Sequence, residues 1–202
     1  MSELTERRKN MVTSMMRGEI YEAAIEVLGK HGIDGLTMDH VAEAAGIAKG
    51  SLYNYFRNKQ ELLEFIFDKT VEPAKQAAEE ILAKPVSAME KLESILRLWF
   101  EHFSTQRGIF DFLFNHRATR ELLDSRESST HADAIEKFRM IFQQGIEEGT
   151  FRQLDVTRTA EMFLGAVVMT IDRQMVLGEQ RPAEESVGAI LEVFVHGMKT
   201  RP

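Results

Sequence analysis

An all-α fold is predicted for this chain of 202 residues. Apolar residues recur at helical spacing along most of it, as at Ile20, Ala23, Ala24 and Val27. Only four prolines interrupt that pattern, and no alternating run of β-branched residues predicts a strand. The sequence therefore predicts about nine helices, with three short ones before Phe56 and longer ones after it.

Turn and capping residues delimit the first three helices. Glycine tolerates the left-handed conformation that follows a helix, so we expect Gly32 to end the first helix and Gly46 the second. Thr37 is placed to cap the second helix, because its hydroxyl can accept a hydrogen bond from a free backbone N–H. The expected helices cover residues 12–31, 38–45 and 49–55.

Two further helices are predicted to begin at residue 58 and near residue 85. Asn58, with Glu61 three residues on, forms a capping box for the fourth helix. Pro73 predicts a kink or a break near residues 69–72, because proline lacks an N–H and clashes with the preceding turn. Pro85 suits the first turn of the fifth helix.

The rest of the chain is mostly helical in pattern. Residues 109–114 form a short aromatic segment, whereas residues 118–129 are polar and loosely patterned, which predicts no helix there. Three more helices are expected over residues 132–148, 155–177 and 182–199.

Composition excludes several kinds of site. The chain has no cysteine, and so it has no disulfide, no cysteine zinc site and no thiol nucleophile. Histidines and glutamates do not recur at ligand spacing, so we expect neither a metal nor a cofactor. The N-terminus is polar, and the longest apolar stretch, residues 163–171, is far shorter than the roughly 20 residues that span a bilayer. We therefore expect a cytoplasmic protein with no membrane partner.

The net charge of −7 at first argues against nucleic-acid binding, because phosphates attract Lys and Arg. The charge is unevenly distributed, however. The first 60 residues hold eight basic and eight acidic side chains, so the whole of the −7 falls on the remainder. Residues 46–59 contain Lys49, Arg57 and Lys59 and no acid, which predicts a locally positive surface.

Residues 37–56 have the pattern of a helix-turn-helix, in which two short helices are joined by a turn containing glycine. Leu52 and Phe56 would anchor the second helix to the core. Its other face presents hydrogen-bond donors and a glycine, which is what groove recognition requires. These residues are Lys49, Gly50, Ser51, Tyr53, Asn54 and Tyr55.

The segment GIAKGSLYNYFRNKQELL, residues 46–63, resembles the signature of the TetR family of bacterial transcriptional repressors. The resemblance is strong over residues 20–67, and residues 146–155 are a weaker match to a boundary in that family. The residues that match the signature are Gly46, Lys49, Gly50, Ser51, Leu52, Tyr53, Tyr55, Phe56, Lys59 and Leu62.

The resemblance implies a homodimer that represses from a palindromic operator in double-stranded DNA and is released by a small effector. It implies phosphate contacts by Thr37, Tyr53 and Lys59, which suits two hydroxyls and a cation. The residues placed to read base edges are Lys49, Gly50, Ser51 and Asn54. Asn54 could pair with adenine, and Lys49 with either guanine or a phosphate.

The resemblance also implies two domains. Residues 1–58 would be the helix-turn-helix DNA-binding domain, and residues 59–202 the effector-binding and dimerisation domain. The basic residues ahead of the motif either form a solvated terminus or add a contact to the DNA backbone or minor groove. They are Arg7, Arg8, Lys9 and Arg17.

Aromatic and methionine side chains of the second domain suit an irregular pocket for an apolar or amphipathic effector, with His102 as a polar contact. The alternative is that they only build the core. The candidate pocket residues are Trp99, His102, Phe103, Phe110, Phe114, Met140, Met162 and Met169.

The last two helices carry broad apolar faces, which fits a four-helix dimer interface. Small residues at 165 and 166 would let helices approach closely. The alternative is that these faces pack within one chain. The candidate interface residues are Phe163, Gly165, Ala166, Val187, Ile190 and Phe194.

Two other classes of function stay open. A small all-helical enzyme would need a nucleophile with its base, or carboxylate–histidine pairs on facing helices, and the sequence displays neither pattern. We therefore do not expect an enzyme. A ligand carrier without DNA binding is the other alternative.

Overall fold

A computed structural model describes residues 3–115, 117–179 and 181–198. Within those ranges the chain forms nine α-helices and no extended strand, which confirms the predicted all-α fold. None of the described helices is both long and apolar enough to cross a membrane. The helices are α1 Glu3–Gly35, α2 Met38–Ala44, α3 Lys49–Leu52, α4 Lys59–Ala83, α5 Ala88–Thr105, α6 Arg107–Asn115, α7 Arg117–Glu147, α8 Val156–Leu177 and α9 Ala183–Met198.

Helix α1 is longer than predicted at its N-terminal end. It begins at Glu3 rather than at Val12, because residues 3–11 contain good helix formers and no glycine or proline. Its geometry is interrupted at Gly32, where φ is 64° and ψ is −165°. Glycine adopts this positive φ without strain, so the kink falls where the sequence predicted the helix to end.

Of the two outcomes predicted at Pro73, the break is wrong, while the kink stays a prediction. α4 runs as a single helix from Lys59 to Ala83 with Pro73 inside it. Buried residues lie on both sides of the proline, with Phe67 and Val71 before it and Ala78 after it. Packing of this continuous apolar stripe outweighs the loss of one backbone hydrogen bond.

Helix α5 begins three residues later than expected, because a capping box rather than a proline sets its start. The Glu90 N–H donates to Ser87 Oγ at 3.2 Å, and the Ser87 N–H donates to Glu90 Oε2 at 3.0 Å. This reciprocal pair satisfies two otherwise free donors at the end of the helix. α5 therefore starts at Ala88.

The prediction that residues 118–129 are not helical is also wrong. They lie within α7, which runs from Arg117 to Glu147. The segment is rich in Arg, Glu, Leu and Ala and contains no glycine or proline, so helix propensity is high although the apolar pattern is weak. The aromatic segment at 109–114 lies in α6, and α8 and α9 fall close to their predicted ranges.

The described chain divides into two compact units. One lies within Met1–Thr70 and Gly108–Leu123, and the other within Val71–Arg107 and Asp124–Pro202. In the first unit, α1 to α4 share a core whose fully buried members include Ile20, Leu36, Leu52, Phe56 and Leu63.

The core of the second unit is built around aromatic rings. The ring of Phe163 lies 4.8 Å from that of Phe138 and 5.5 Å from that of Phe142, both nearly perpendicular. Phe151 packs edge-on against Phe142 at 6.2 Å. A Cβ on Gly145 would lie only 2.1 Å from Cδ2 of Phe151, so glycine is needed for this ring to enter the core.

Candidate nucleic-acid interface and effector cavity

The turn between α2 and α3 has the geometry of a helix-turn-helix. Thr37 caps α2 as predicted, since its hydroxyl accepts a hydrogen bond of 3.2 Å from the His40 N–H. Gly46 then takes a φ of 65°, and the Ile47 N–H closes the turn on the Ala42 carbonyl at 3.0 Å. α3 follows from Lys49.

Helix α3 is held from one side and exposed on the other. Leu52 and Phe56 are fully buried, as the sequence predicted, and fix the helix on the core. α3 ends at Leu52, so Tyr53, Asn54 and Tyr55 lie in the turn that follows rather than in the helix. The exposed residues of this surface are Lys49, Gly50, Tyr53 and Asn54, while Ser51 and Tyr55 are half-buried.

Lys49 is paired within the free protein. Its Nζ lies 2.7 Å from Oδ1 of Asp39, at the first turn of α2. The hydrogen bond and the charge of Asp39 raise the pKa of Lys49. Residues 46–59 contain no acidic side chain. The sequence did not reveal the partner of Lys49, because Asp39 lies outside that range, in the neighbouring helix.

Lys59 and Thr37 each have a structural role in addition to the predicted phosphate contact. Lys59 begins α4 and donates a hydrogen bond of 3.4 Å to the Ile33 carbonyl.

The cap of α4 forms only in part as predicted. The Glu61 N–H donates to Asn58 Oδ1 at 2.9 Å, as expected. The carboxylate of Glu61, however, accepts from the Arg57 N–H at 2.8 Å and not from the Asn58 N–H.

Arg17 is not a solvated member of the basic N-terminal stretch. Its guanidinium carbon lies 4.6 Å from the centroid of Phe56 and 4.6 Å from that of Phe65. The two rings are themselves 5.1 Å apart. Arg17 therefore packs against both phenyl rings and ties α1 to the end of the helix-turn-helix.

A cavity lies in the second unit, between α5, the C-terminal part of α8 and the segment that follows it. Its volume is about 350 Å³, a figure that includes space open to solvent. Phe103 is the one predicted pocket residue that lines it. The apolar wall also includes Phe100, Ile171 and Met175, and two arginines, Arg107 and Arg181, line it as well.

The other predicted pocket residues whose side chains are described do not line this cavity. Trp99 packs edge-on against Phe138 at 5.3 Å, and His102 packs edge-on against Phe103 at 6.3 Å. Phe110 is fully buried and belongs to the first unit. The side chain of Phe114 lies outside the described part of the structure. The three predicted methionines, Met140, Met162 and Met169, are all exposed.

Arg107 was missed by the sequence analysis because no local pattern marks it. Its guanidinium donates to the carbonyls of Gln174 at 2.9 Å, Met175 at 3.2 Å and Glu179 at 3.1 Å. These carbonyls belong to the last turn of α8 and the turn after it, where the Gly178 N–H also donates to Met175 and the Glu179 N–H to Gln174. Arg107 therefore closes the C-terminal end of α8.

The apolar faces of α8 and α9 divide into a buried and an exposed part. Met162, Met169 and Val176 are each about 60% exposed and are spaced seven residues apart, so they form one stripe along α8. Val193 is exposed on α9. Of the predicted interface residues, Gly165 is exposed, Ala166 and Phe194 are half-buried, and Phe163, Val187 and Ile190 are buried within the chain.

Comparison with known proteins gives matches in sequence and in structure. Residues 20–66 match the family model described as bacterial regulatory proteins of the tetR family. The fatty acid metabolism regulator protein of Bacillus subtilis is 23% identical over 188 residues, covering 91% of this chain and 95% of that protein.

Two solved structures have a similar fold. A TetR transcription regulator from Haloarcula marismortui has a TM-score of 0.82 at 18% identity, covering 93% of this chain and 100% of that one. The transcriptional regulator FadR from Bacillus subtilis, in complex with stearoyl-CoA, has a TM-score of 0.73 at 22% identity, covering 89% and 97%. The sequence relative and both structures are named as regulators rather than as enzymes.

Proposed function

Because the chain belongs to the TetR family of bacterial transcriptional regulators, we propose that it is a homodimeric repressor released from a palindromic operator by a small apolar or amphipathic effector. It is a regulator and not an enzyme. In this proposal residues 1–58 bind DNA, and residues 59–202 bind the effector and form the dimer. Since operator DNA lies in the bacterial cytoplasm, the proposal includes a cytoplasmic location.

The observation that carries the proposal is the exposed face of α3 and the turn after it. Lys49, Gly50 and Asn54 are exposed there, while buried Leu52 keeps the helix fixed. Asn54 has the amide that pairs with adenine, and Gly50 lets the backbone approach the groove. Tyr53, Lys59 and the exposed Thr37 supply the phosphate contacts.

The exposed stripe on α8 supports the dimer. Met162, Met169 and Val176 are exposed apolar residues on one face of α8, near the exposed Gly165, and larger exposed apolar patches usually mark interaction sites. Two copies that pair along these helices would place two recognition helices about 34–36 Å apart, in successive major grooves. The operator would then be a palindrome.

The cavity of the second unit supports an effector. An apolar wall with a few polar groups is the usual composition of a small-molecule site. The relative FadR is in complex with stearoyl-CoA, an amphipathic molecule, which supports the same broad class here. An effector that binds better to the DNA-free form lowers the affinity for the operator by linkage.

DNA binding measured by fluorescence anisotropy tests the proposal. Fragments selected from random sequence identify the operator, and affinity is then followed from low to high salt. We expect a specific site and a steep salt dependence. Flat salt dependence without sequence preference would favour the ligand-carrier alternative.

Three variants separate the roles of the contacts. Tyr53→Phe and Lys59→Gln are expected to weaken binding to all sequences, because they remove phosphate contacts. Asn54→Ala is expected to change the preference at one base pair of the site. Arg158→Gln is the control, since it removes an exposed cation of α8, outside the helix-turn-helix.

A further inference from the structure

Part of the lining of the second unit's cavity is apolar. Phe100, Ile171 and Met175 are each less than a tenth exposed and line it together with the half-buried Phe103. A hydrocarbon chain laid along these side chains would remove its surface from water, and that burial is the main source of affinity for an apolar ligand.

Two cations also line the same cavity. Arg107 donates to three carbonyls but forms no ion pair with any described residue. Arg181 is more than half exposed and lies 2.7 Å from a carboxylate oxygen of Glu179. The cavity is therefore lined by two positive charges and one negative charge.

We propose that this cavity binds an amphipathic monoanion, with its acidic head group at Arg107 and Arg181 and its hydrocarbon chain along Phe100. One negative charge matches the single excess positive charge of the lining. A guanidinium fork can donate to two oxygens of a carboxylate head, and two oxygens of a tetrahedral sulfate head can accept in the same way. The inference rests on the proposed function in one respect, that this ligand is the effector.

Octanoate is the first probe, and 1-octanol and n-octylamine are its matched controls. The three share one hydrocarbon chain and differ in head-group charge. Trp99 is the only tryptophan of the chain and lies in α5 one residue before Phe100, so its fluorescence reports occupancy. Calorimetry gives the affinities. We expect octanoate to bind about tenfold more tightly than 1-octanol and octylamine to bind most weakly.

Octyl sulfate distinguishes the two possible head groups. Tighter binding than octanoate indicates a sulfate-type ligand, and weaker binding indicates a carboxylate. Either result supports an anion site. Equal or tighter binding of 1-octanol overturns the proposal, and so does the absence of binding by both anions.

Two variants at the cavity are expected to act in opposite directions. Arg181→Gln removes a cation from the exposed segment after α8, and it is expected to weaken octanoate binding about threefold. Glu179→Gln removes the competing carboxylate and is expected to strengthen it by a similar factor. Arg158→Gln and Glu184→Gln are matched controls for charge, because both residues are exposed and neither lines the cavity. Unchanged affinity in both cavity variants would contradict the proposal.

Ligand binding is measured without DNA. A failure of the anion-site proposal can therefore be distinguished from a failure of the repressor proposal. Tight octanoate binding with no effect on the operator complex supports the anion site and contradicts the effector role. If the protein binds its operator but binds octanoate no more tightly than 1-octanol, the result supports the repressor and overturns the anion site. Circular dichroism of each variant confirms that it is folded.

Discussion

The ammonium group of Lys49 lies 2.7 Å from the carboxylate of Asp39, so an ion pair joins the first turn of α2 to the first turn of α3. Both side chains are more than half exposed. Such a pair contributes little to stability, since water and salt screen it. In the proposed complex with DNA, Asp39 would compete with a phosphate for the same cation.

Asp39→Asn is predicted to strengthen binding to DNA of any sequence. Release of Lys49 adds one available cation, so the slope of log affinity against log salt concentration is expected to steepen by about one. Anisotropy on operator and random DNA measures both slopes. Glu43→Gln makes the same change of net charge on α2 and is expected to have a smaller effect. Equal slopes in Asp39→Asn and the unmodified protein would contradict the prediction.

Arg17→Ala is predicted to destabilise the protein by about 1–2 kcal/mol, because it removes a cation that packs against Phe56 and Phe65. Urea unfolding followed by circular dichroism measures the free energy. Arg8→Ala, at an exposed position of the same helix, is the control and is expected to change stability little. A loss of DNA affinity in Arg17→Ala without a loss of stability would instead favour a direct contact to DNA.

Gly145→Ala is predicted to destabilise the second unit by about 1–3 kcal/mol, because the new methyl group would overlap the ring of Phe151. Gly18→Ala in α1 is the opposite case. Nothing lies within 4 Å of its Cβ position, so this substitution is expected to stabilise α1 by about 0.5–1 kcal/mol. Thermal unfolding of the two variants compares them, and a stabilising effect of Gly145→Ala would show that Phe151 can repack.

Met169→Glu is predicted to convert the proposed dimer to a monomer, because it places a charge in the centre of the exposed stripe on α8. Light scattering after size exclusion measures the mass. Met140→Glu is the matched control, since Met140 is similarly exposed but lies on α7. A dimer that survives Met169→Glu, or one that Met140→Glu disrupts, would locate the interface elsewhere.

Local signals in the sequence predicted the local structure well. The hydroxyl of Thr37 and the amide of Asn58 cap their helices as expected, because a cap depends on residues within one turn. The break predicted at Pro73 does not occur, because packing of residues far apart in the chain overrides one lost hydrogen bond.

Contacts between distant residues were not predictable from one sequence. Arg17 and Phe56 are 39 positions apart, and the sequence carries no signal that pairs them. Helical periodicity also marks apolar residues without saying what covers them. Phe163 and Met162 are adjacent, yet the first is in the core and the second is exposed. This is why the candidate pocket and interface residues could not be sorted beforehand.

The shortness of α3 has a consequence for its dynamics. The helix has only four residues, and its N-cap residue, Ala48, makes no side-chain capping bond. One turn of helix is not stable by itself, so its order depends on Leu52. The amide hydrogens of this turn should exchange with deuterium early among those of the first unit, and bound operator should slow that exchange. Tight recognition would then include an ordering step, with a heat capacity change larger than that expected for rigid docking.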